Sequence, residues 1–192
     1  MTADDAVNDT LVALASALEE LGAPAMLIGG IAVIARGVPR TTLDVDATVW
    51  ADALDLGRAV AVFGRHGLVP RVEAARQFAE QHQVLPLRHG ASGTPLDVSL
   101  AWLPFEREAL DRATSVDFGR ATLKVALVED LVVYKAVAWR DRDRGDIERL
   151  LITHPGEVDL ARVRALVAEF AGLLEAPERV TEFDALLARL GR

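Results

Sequence analysis

The run Leu43-Asp44-Val45-Asp46-Ala47-Thr48-Val49 constrains this chain more than any other stretch of it. Apolar and polar residues alternate there with a period of two, the pattern of a β-strand with one face buried and the other open. Leu43, Val45, Ala47 and Val49 are expected to face a core, and Asp44 and Asp46 to project together from the opposite face. Two carboxylates side by side on a strand are a ready place for a hard cation. Just upstream, Ala25 to Ile28 is a short apolar run ending in Gly29 and Gly30, and IAVIARG reads as a short helix closed by Gly37. Strand, glycine turn, helix and acidic strand thus follow in order.

The remaining pattern is α/β first and helical afterwards. Val7, Leu11, Leu14, Leu18 and Leu21 form one helical stripe with Gly22 as a stop. A helix is expected through LDLGRAVAVFGRHG, then a polar segment rich in Gln and Arg, then strands at VLPLRH and TPLDVSLAW, the second carrying Asp97. A short helix follows around FEREALDRA, a strand or hairpin over 114–126, and a helix from Leu127 to about Trp139. Leu160, Val163, Val167, Phe170 and Leu174 make one stripe of the tail, and Val180, Phe183, Leu187 and Leu190 another. A length of 192 residues suits one domain with a small appendage. The seam falls near His154 and Pro155, giving a domain over 1–152 and a helical subdomain over 153–192.

Composition removes several function classes. Hydrophobic residues make up 51% of the chain, but Arg, Asp and Glu interrupt every run, so no membrane partner is expected. The acidic start MTADDAVNDT lacks the basic segment of a secretory signal, which makes the cytoplasm the expected compartment. Without cysteine there is no disulfide framework, thiolate zinc site or cysteine nucleophile. A net charge of −8 argues against sequence-independent coating of nucleic acid, though a local basic groove is compatible with it. His66, His82, His89 and His154 are scattered, and Ser92 and Ser99 lack a nucleophile elbow. Neither a dinucleotide-binding glycine pattern nor a P-loop occurs.

Nucleotidyl transfer needs little covalent help from protein; it needs divalent ions that gather triphosphate oxygens and neutralise developing charge. Asp44 and Asp46, joined by Asp97 from an adjacent strand, fit that demand. Hard oxygen ligands favour magnesium, with manganese as a substitute ion. Gly29 and Gly30 leave backbone amides open to a phosphate. Arg36 and Arg40 have two readings, as triphosphate or nucleic-acid contacts or as partners of nearby acids. Thr41 and Thr42 contact phosphate or hold the turn.

At these residues the sequence resembles the nucleotidyltransferase family that includes the AbiEii, AbiGii and MenT toxins, within the DNA polymerase β superfamily. The likeness covers roughly residues 11 to 152. IGGIAVIARGVPRTTLDVDATV resembles the family's first motif, PLDVSL its second, and EDLVVYKAVAWRDRDRGDIERLL its third and fourth. The resemblance implies a polymerase β-like mixed sheet with flanking helices, and the apolar stripes of the tail add a C-terminal helical subdomain to it. It implies Asp44, Asp46 and Asp97 as metal ligands, Lys135 on the nucleotide phosphates, and Asp143 or Asp146 at the final acidic position. A continuous helix would separate Lys135 from Asp146 by about 16 Å, so a break near Gly145 is expected to return the second segment toward the site. Asp146 reads equally well as the N-cap of IERLL.

The implied reaction moves a nucleoside monophosphate from a nucleoside triphosphate to an acceptor hydroxyl. By resemblance the acceptor is RNA, the 3′ end of tRNA in toxin relatives, with a cognate antitoxin as protein partner. Its rivals are transfer to a protein or small molecule, and a catalytically silent binding module.

Overall fold

A computed structural model describes residues 2–192. Contacts divide the chain into two compact units, residues 1–32 with 40–126, and residues 33–39 with 127–192. Residues 127–152, grouped from sequence with the catalytic domain, cluster with the C-terminal helices.

The first unit is built on a seven-stranded mixed sheet. Its strands are β1 (Ala25–Ile28), β2 (Val45–Trp50), β3 (Leu68–Pro70), β4 (Val84–His89), β5 (Pro95–Ala101), β6 (Thr114–Asp117) and β7 (Thr122–Val125). They lie in the order β3-β4-β5-β2-β1-β7-β6. The acidic strand β2 therefore sits inside the sheet, antiparallel to β1 and parallel to β5. Val45, Ala47 and Val49 are fully buried, as their alternation requires. Leu43 is not: the strand begins at Val45, and Leu43 is 63% exposed.

Helices α1 (Ala3–Leu21), α3 (Leu56–Arg65), α4 (Ala75–His82) and α5 (Pro104–Arg112) complete this unit. Helix α1 opens with a capping box between Thr2 and Asp5, buries Leu11, Leu14 and Leu21, and closes at Gly22 in the left-handed conformation. Asp55 caps α3 by accepting the Arg58 N–H at 2.9 Å. That bond holds the Asp55 carboxyl below its usual range. The polar segment rich in Gln and Arg, left without structure by the sequence, forms α4. Only the small Ala75 and Ala79 are buried there, too weak a stripe to register as a helix.

Helix α2 (Gly29–Ala35) follows β1 with no linker: Gly29, at φ +63, makes the turn out of the strand, and Gly30 lies in the first turn of the helix. Its last residues are counted with the second unit. That unit holds α6 (Val128–Ala138), α7 (Asp141–Thr153), α8 (Leu160–Leu173) and α9 (Glu178–Arg189). Leu131, Val132, Ile147, Leu150, Val163, Val167, Phe183 and Leu186 form its core. Leu174, expected in the α8 stripe, falls after the helix and is exposed. His154 ends α7, and its Nε2 lies 2.7 Å from the Arg36 carbonyl oxygen, which ties residues 33–39 to this unit. Among the described residues no helix is long and apolar enough to cross a membrane.

Candidate active site

Asp46 is held from both sides by the sheet. Its register partner on β1 is Ile28 and its partner on β5 is Asp97. Gly29 follows Ile28 directly, with φ +63, and the Asp46 side chain lies over its bare Cα. A Cβ at Gly29 would sit 1.9 Å from Asp46 Oδ2, so only glycine fits. A Cβ at Gly30 would meet Thr42 Oγ1 at 2.6 Å and the guanidinium carbon of Arg40 at 3.2 Å. The Thr42 hydroxyl donates to Asp44 Oδ1. The structure thus brings Gly29, Gly30, Arg40, Thr42, Asp44 and Asp46 into one neighbourhood of the first unit. Thr41 is exposed beside it.

Gly29→Ala separates this packing from simple backbone strain. The left-handed φ costs an L-residue about 1 to 2 kcal/mol wherever it occurs. Gly22→Ala, at φ +66 with nothing within 4 Å of the added Cβ, carries that cost alone. Both variants should melt earlier, but only Gly29→Ala should lose transfer, by about 100-fold, because displacing a positioned group by about 1 Å costs that much. Rates and melting curves measured on the pair test it.

Asp97 shares the face of Asp46, since the two are register partners on parallel strands. Its Oδ1 accepts from Arg71 Nη2, and Arg71 Nε donates to the Leu87 carbonyl at 2.8 Å. Sequence reasoning missed Arg71. Its only signal was membership of the Arg-rich segment after β3.

The second unit contains a separate charged cluster. Helix α6 ends at Trp139, which adopts the left-handed φ of 53° and donates its N–H to the Lys135 carbonyl. The chain turns there, and α7 returns alongside. Gly145, expected to be the break, lies inside α7, and Asp146 is interior too rather than the N-cap of IERLL. The carboxylate that caps the start of α7 is Asp143, which accepts the Arg140 N–H at 3.0 Å. Lys135 Nζ lies 2.7 Å from Asp146 Oδ2 and 3.2 Å from Asp143 Oδ1. These side chains are 7%, 1% and 8% exposed, so this is a buried ionic network, extended at its rim by Arg149 on Asp146. Arg36 belongs to the same unit, and partial burial lowers its pKa below the usual arginine value.

The donor set can be weighed against a divalent ion. Asp44 and Asp46 offer hard carboxylate oxygens on one side of β2, and the glycine beside Asp46 keeps bulk away from them. That fits an ion completing its shell from phosphate and water. Among the described residues no three His, Asp or Glu side chains converge on one point, consistent with Asp97 being turned to Arg71.

Several solved structures share the fold. The antibiotic-resistance factor ANT(2″)-Ia shares the fold with a TM-score of 0.57 at 20% identity, covering 92% of this chain and 98% of its own. Its complex with adenylyl-2″-tobramycin matches equally well, over 88% and 99%. An antigenic nucleotidyltransferase-like protein from Paracoccidioides brasiliensis follows at 0.55 and 17%, over 92% and 93%. The lincosamide antibiotic adenylyltransferase LnuA, lincomycin-bound, gives 0.50 and 15%, over 71% and 91%. The fold is that of a nucleotidyltransferase. More narrowly, residues 7–186 match the family described as nucleotidyltransferase of unknown function (DUF6036), and the chain belongs to it. No curated protein sequence matches.

Proposed function

We propose that the protein transfers a nucleoside monophosphate from a nucleoside triphosphate to an acceptor hydroxyl and releases pyrophosphate. The observation that carries this reading is the packing of Asp46 over the bare Cα of Gly29, beside an Asp44 already oriented by Thr42. Asp44 and Asp46 would hold magnesium, for which manganese could substitute. When bound, such an ion gathers triphosphate oxygens and offsets the charge that builds up in line. Arg40 and the amides of Gly29 and Gly30 would steady the phosphates, with Thr41 as a further contact. Asp97 would take the proton as the acceptor oxygen bonds to the α-phosphorus and the bond to pyrophosphate breaks.

Two acceptor classes have support. The Arg-x-Thr-x-Asp-x-Asp run and the Lys135 to Asp146 segment resemble the toxin nucleotidyltransferases, which favours the 3′ end of tRNA and a cognate antitoxin as protein partner. The complex of ANT(2″)-Ia with adenylyl-2″-tobramycin favours a small polyhydroxylated acceptor. Incubation with each labelled nucleoside triphosphate, magnesium, and either total RNA or an aminoglycoside panel decides between them. Absence of transfer to every acceptor would leave a silent binding module.

Magnesium is expected to bind weakly alone and distinctly more tightly with a nucleoside triphosphate, because the substrate supplies part of the ligand shell. Calorimetry with and without nucleotide measures the difference. Tight magnesium binding without nucleotide that survives Asp46→Asn would place the ion elsewhere.

A further inference from the structure

We propose that Arg71 is the resident counterion of Asp97 and competes with a divalent ion for that carboxylate. The inference rests on the metal site proposed for Asp44 and Asp46. Arg71 follows the last residue of β3 and is fixed to β4 at two points. Its N–H donates to the Pro86 carbonyl at 2.9 Å and its Nε to the Leu87 carbonyl at 2.8 Å. The rest of the guanidinium reaches across to β5 and donates to Asp97 Oδ1. Asp97 is itself the register partner of Pro86 on β4 and of Asp46 on β2, so this single residue stands between the arginine and the acidic strand.

Charge explains why an arginine belongs there. Register partners on adjacent strands lie about 4.8 Å apart and project from the same face. Asp46 and Asp97 would repel one another, with Asp44 adding a third negative charge close by. Arg71 neutralises one of the three. A cation that is to recruit Asp97 must first displace a guanidinium, and it gains less from binding than the carboxylates alone would offer. The exchange is accessible, because the two side chains are 35% and 43% exposed and a pair this open to water is weakly held. Arg71 thereby sets how much of the ligand shell the protein supplies before nucleotide arrives.

The test is calorimetric titration of the full chain with manganese chloride alone, no nucleotide present. Arg71→Gln is expected to tighten manganese binding about threefold to tenfold, the effect of removing one competing charge at a partly solvated site. Asp97→Asn should not tighten it, and Arg71→Gln combined with Asp97→Asn should match Asp97→Asn alone. Arg71→Lys keeps the charge but loses the fork that grips Leu87, and should fall between wild type and Arg71→Gln. It also keeps the test decisive should Arg71→Gln fold poorly by circular dichroism. Unchanged or weaker binding in both Arg71 variants overturns the proposal, as does tightening that persists without Asp97, which would mark a general charge effect. Failure of the underlying metal site reads differently: Asp46→Asn would then bind manganese as well as wild type, whatever stands at position 71.

Discussion

Asp44→Ala and Asp46→Ala are each expected to lower nucleotide transfer by at least about a thousandfold while leaving the protein folded. An ion that offsets transition-state charge is worth several kcal/mol, and about 4 kcal/mol corresponds to a thousandfold in rate. Neither side chain is part of the core, which on this strand consists of Val45, Ala47 and Val49. Truncating a carboxylate in a group of like charges also relieves repulsion, so the melting temperature should hold or rise. Asp97→Ala should cost less, because Arg71 already occupies its carboxylate. Transfer rates with labelled nucleotide, alongside thermal melts, check all three variants. Full activity in either Asp44→Ala or Asp46→Ala would remove the pair from the chemistry.

Lys135→Ala should act first on stability. Its ammonium sits between Asp143 and Asp146, nearly out of water, and the substitution removes the buried counterion the two carboxylates share, leaving Asp143 on the Arg140 N–H and Asp146 on Arg149 at the rim. Breaking a buried ionic network by removing one partner typically costs about 3 to 5 kcal/mol. For a chain of this size that corresponds to a fall of about 6 to 20 °C in melting temperature. Asp146→Ala should fall similarly. The double variant should lose less than the sum, because each single change already breaks the shared pair. Two carboxylates already lie within 3.2 Å of the ammonium nitrogen, which supports an anchor between α6 and α7 over a clamp on phosphate. An unchanged melting temperature with a lowered transfer rate would reverse that assignment.

What the sequence disclosed was local, and what it hid depended on contacts made elsewhere in the chain. The alternation through Val45, Ala47 and Val49 led to a buried strand because their neighbours in the sheet are apolar too, Leu96, Val98 and Leu100 on β5 and Leu27 and Ala25 on β1. Gly29 and Gly30 were legible as a close approach, though the side chains that crowd them, Asp46, Thr42 and Arg40, emerged only from the register of β1 on β2. The approach of α7 to Lys135 was legible, but the turn that makes it was placed at the wrong residue. Gly145 looked like the break, yet the chain reverses at Trp139, whose left-handed backbone no propensity would nominate and whose ring is held against Phe183 and Arg179. Arg71 was invisible for a similar reason: its meeting with Asp97 requires β3 to pair with β4 and β4 with β5, two long-range events with no trace in spacing.

The start of β2 between the two carboxylates makes the site mechanically unequal. Asp46 lies inside the ladder, pinned to β1 and β5, and behaves as a fixed post. Asp44 lies one residue before the ladder begins, outside the strand pairing, and is steered by the Thr42 hydroxyl. In the reading proposed above, a cation between them would have one ligand that sets its position and another that could follow it. Such a site would keep its grip as triphosphate gives way to pyrophosphate, with the adjustment confined to the stretch from Arg40 to Asp44 and the sheet left undisturbed.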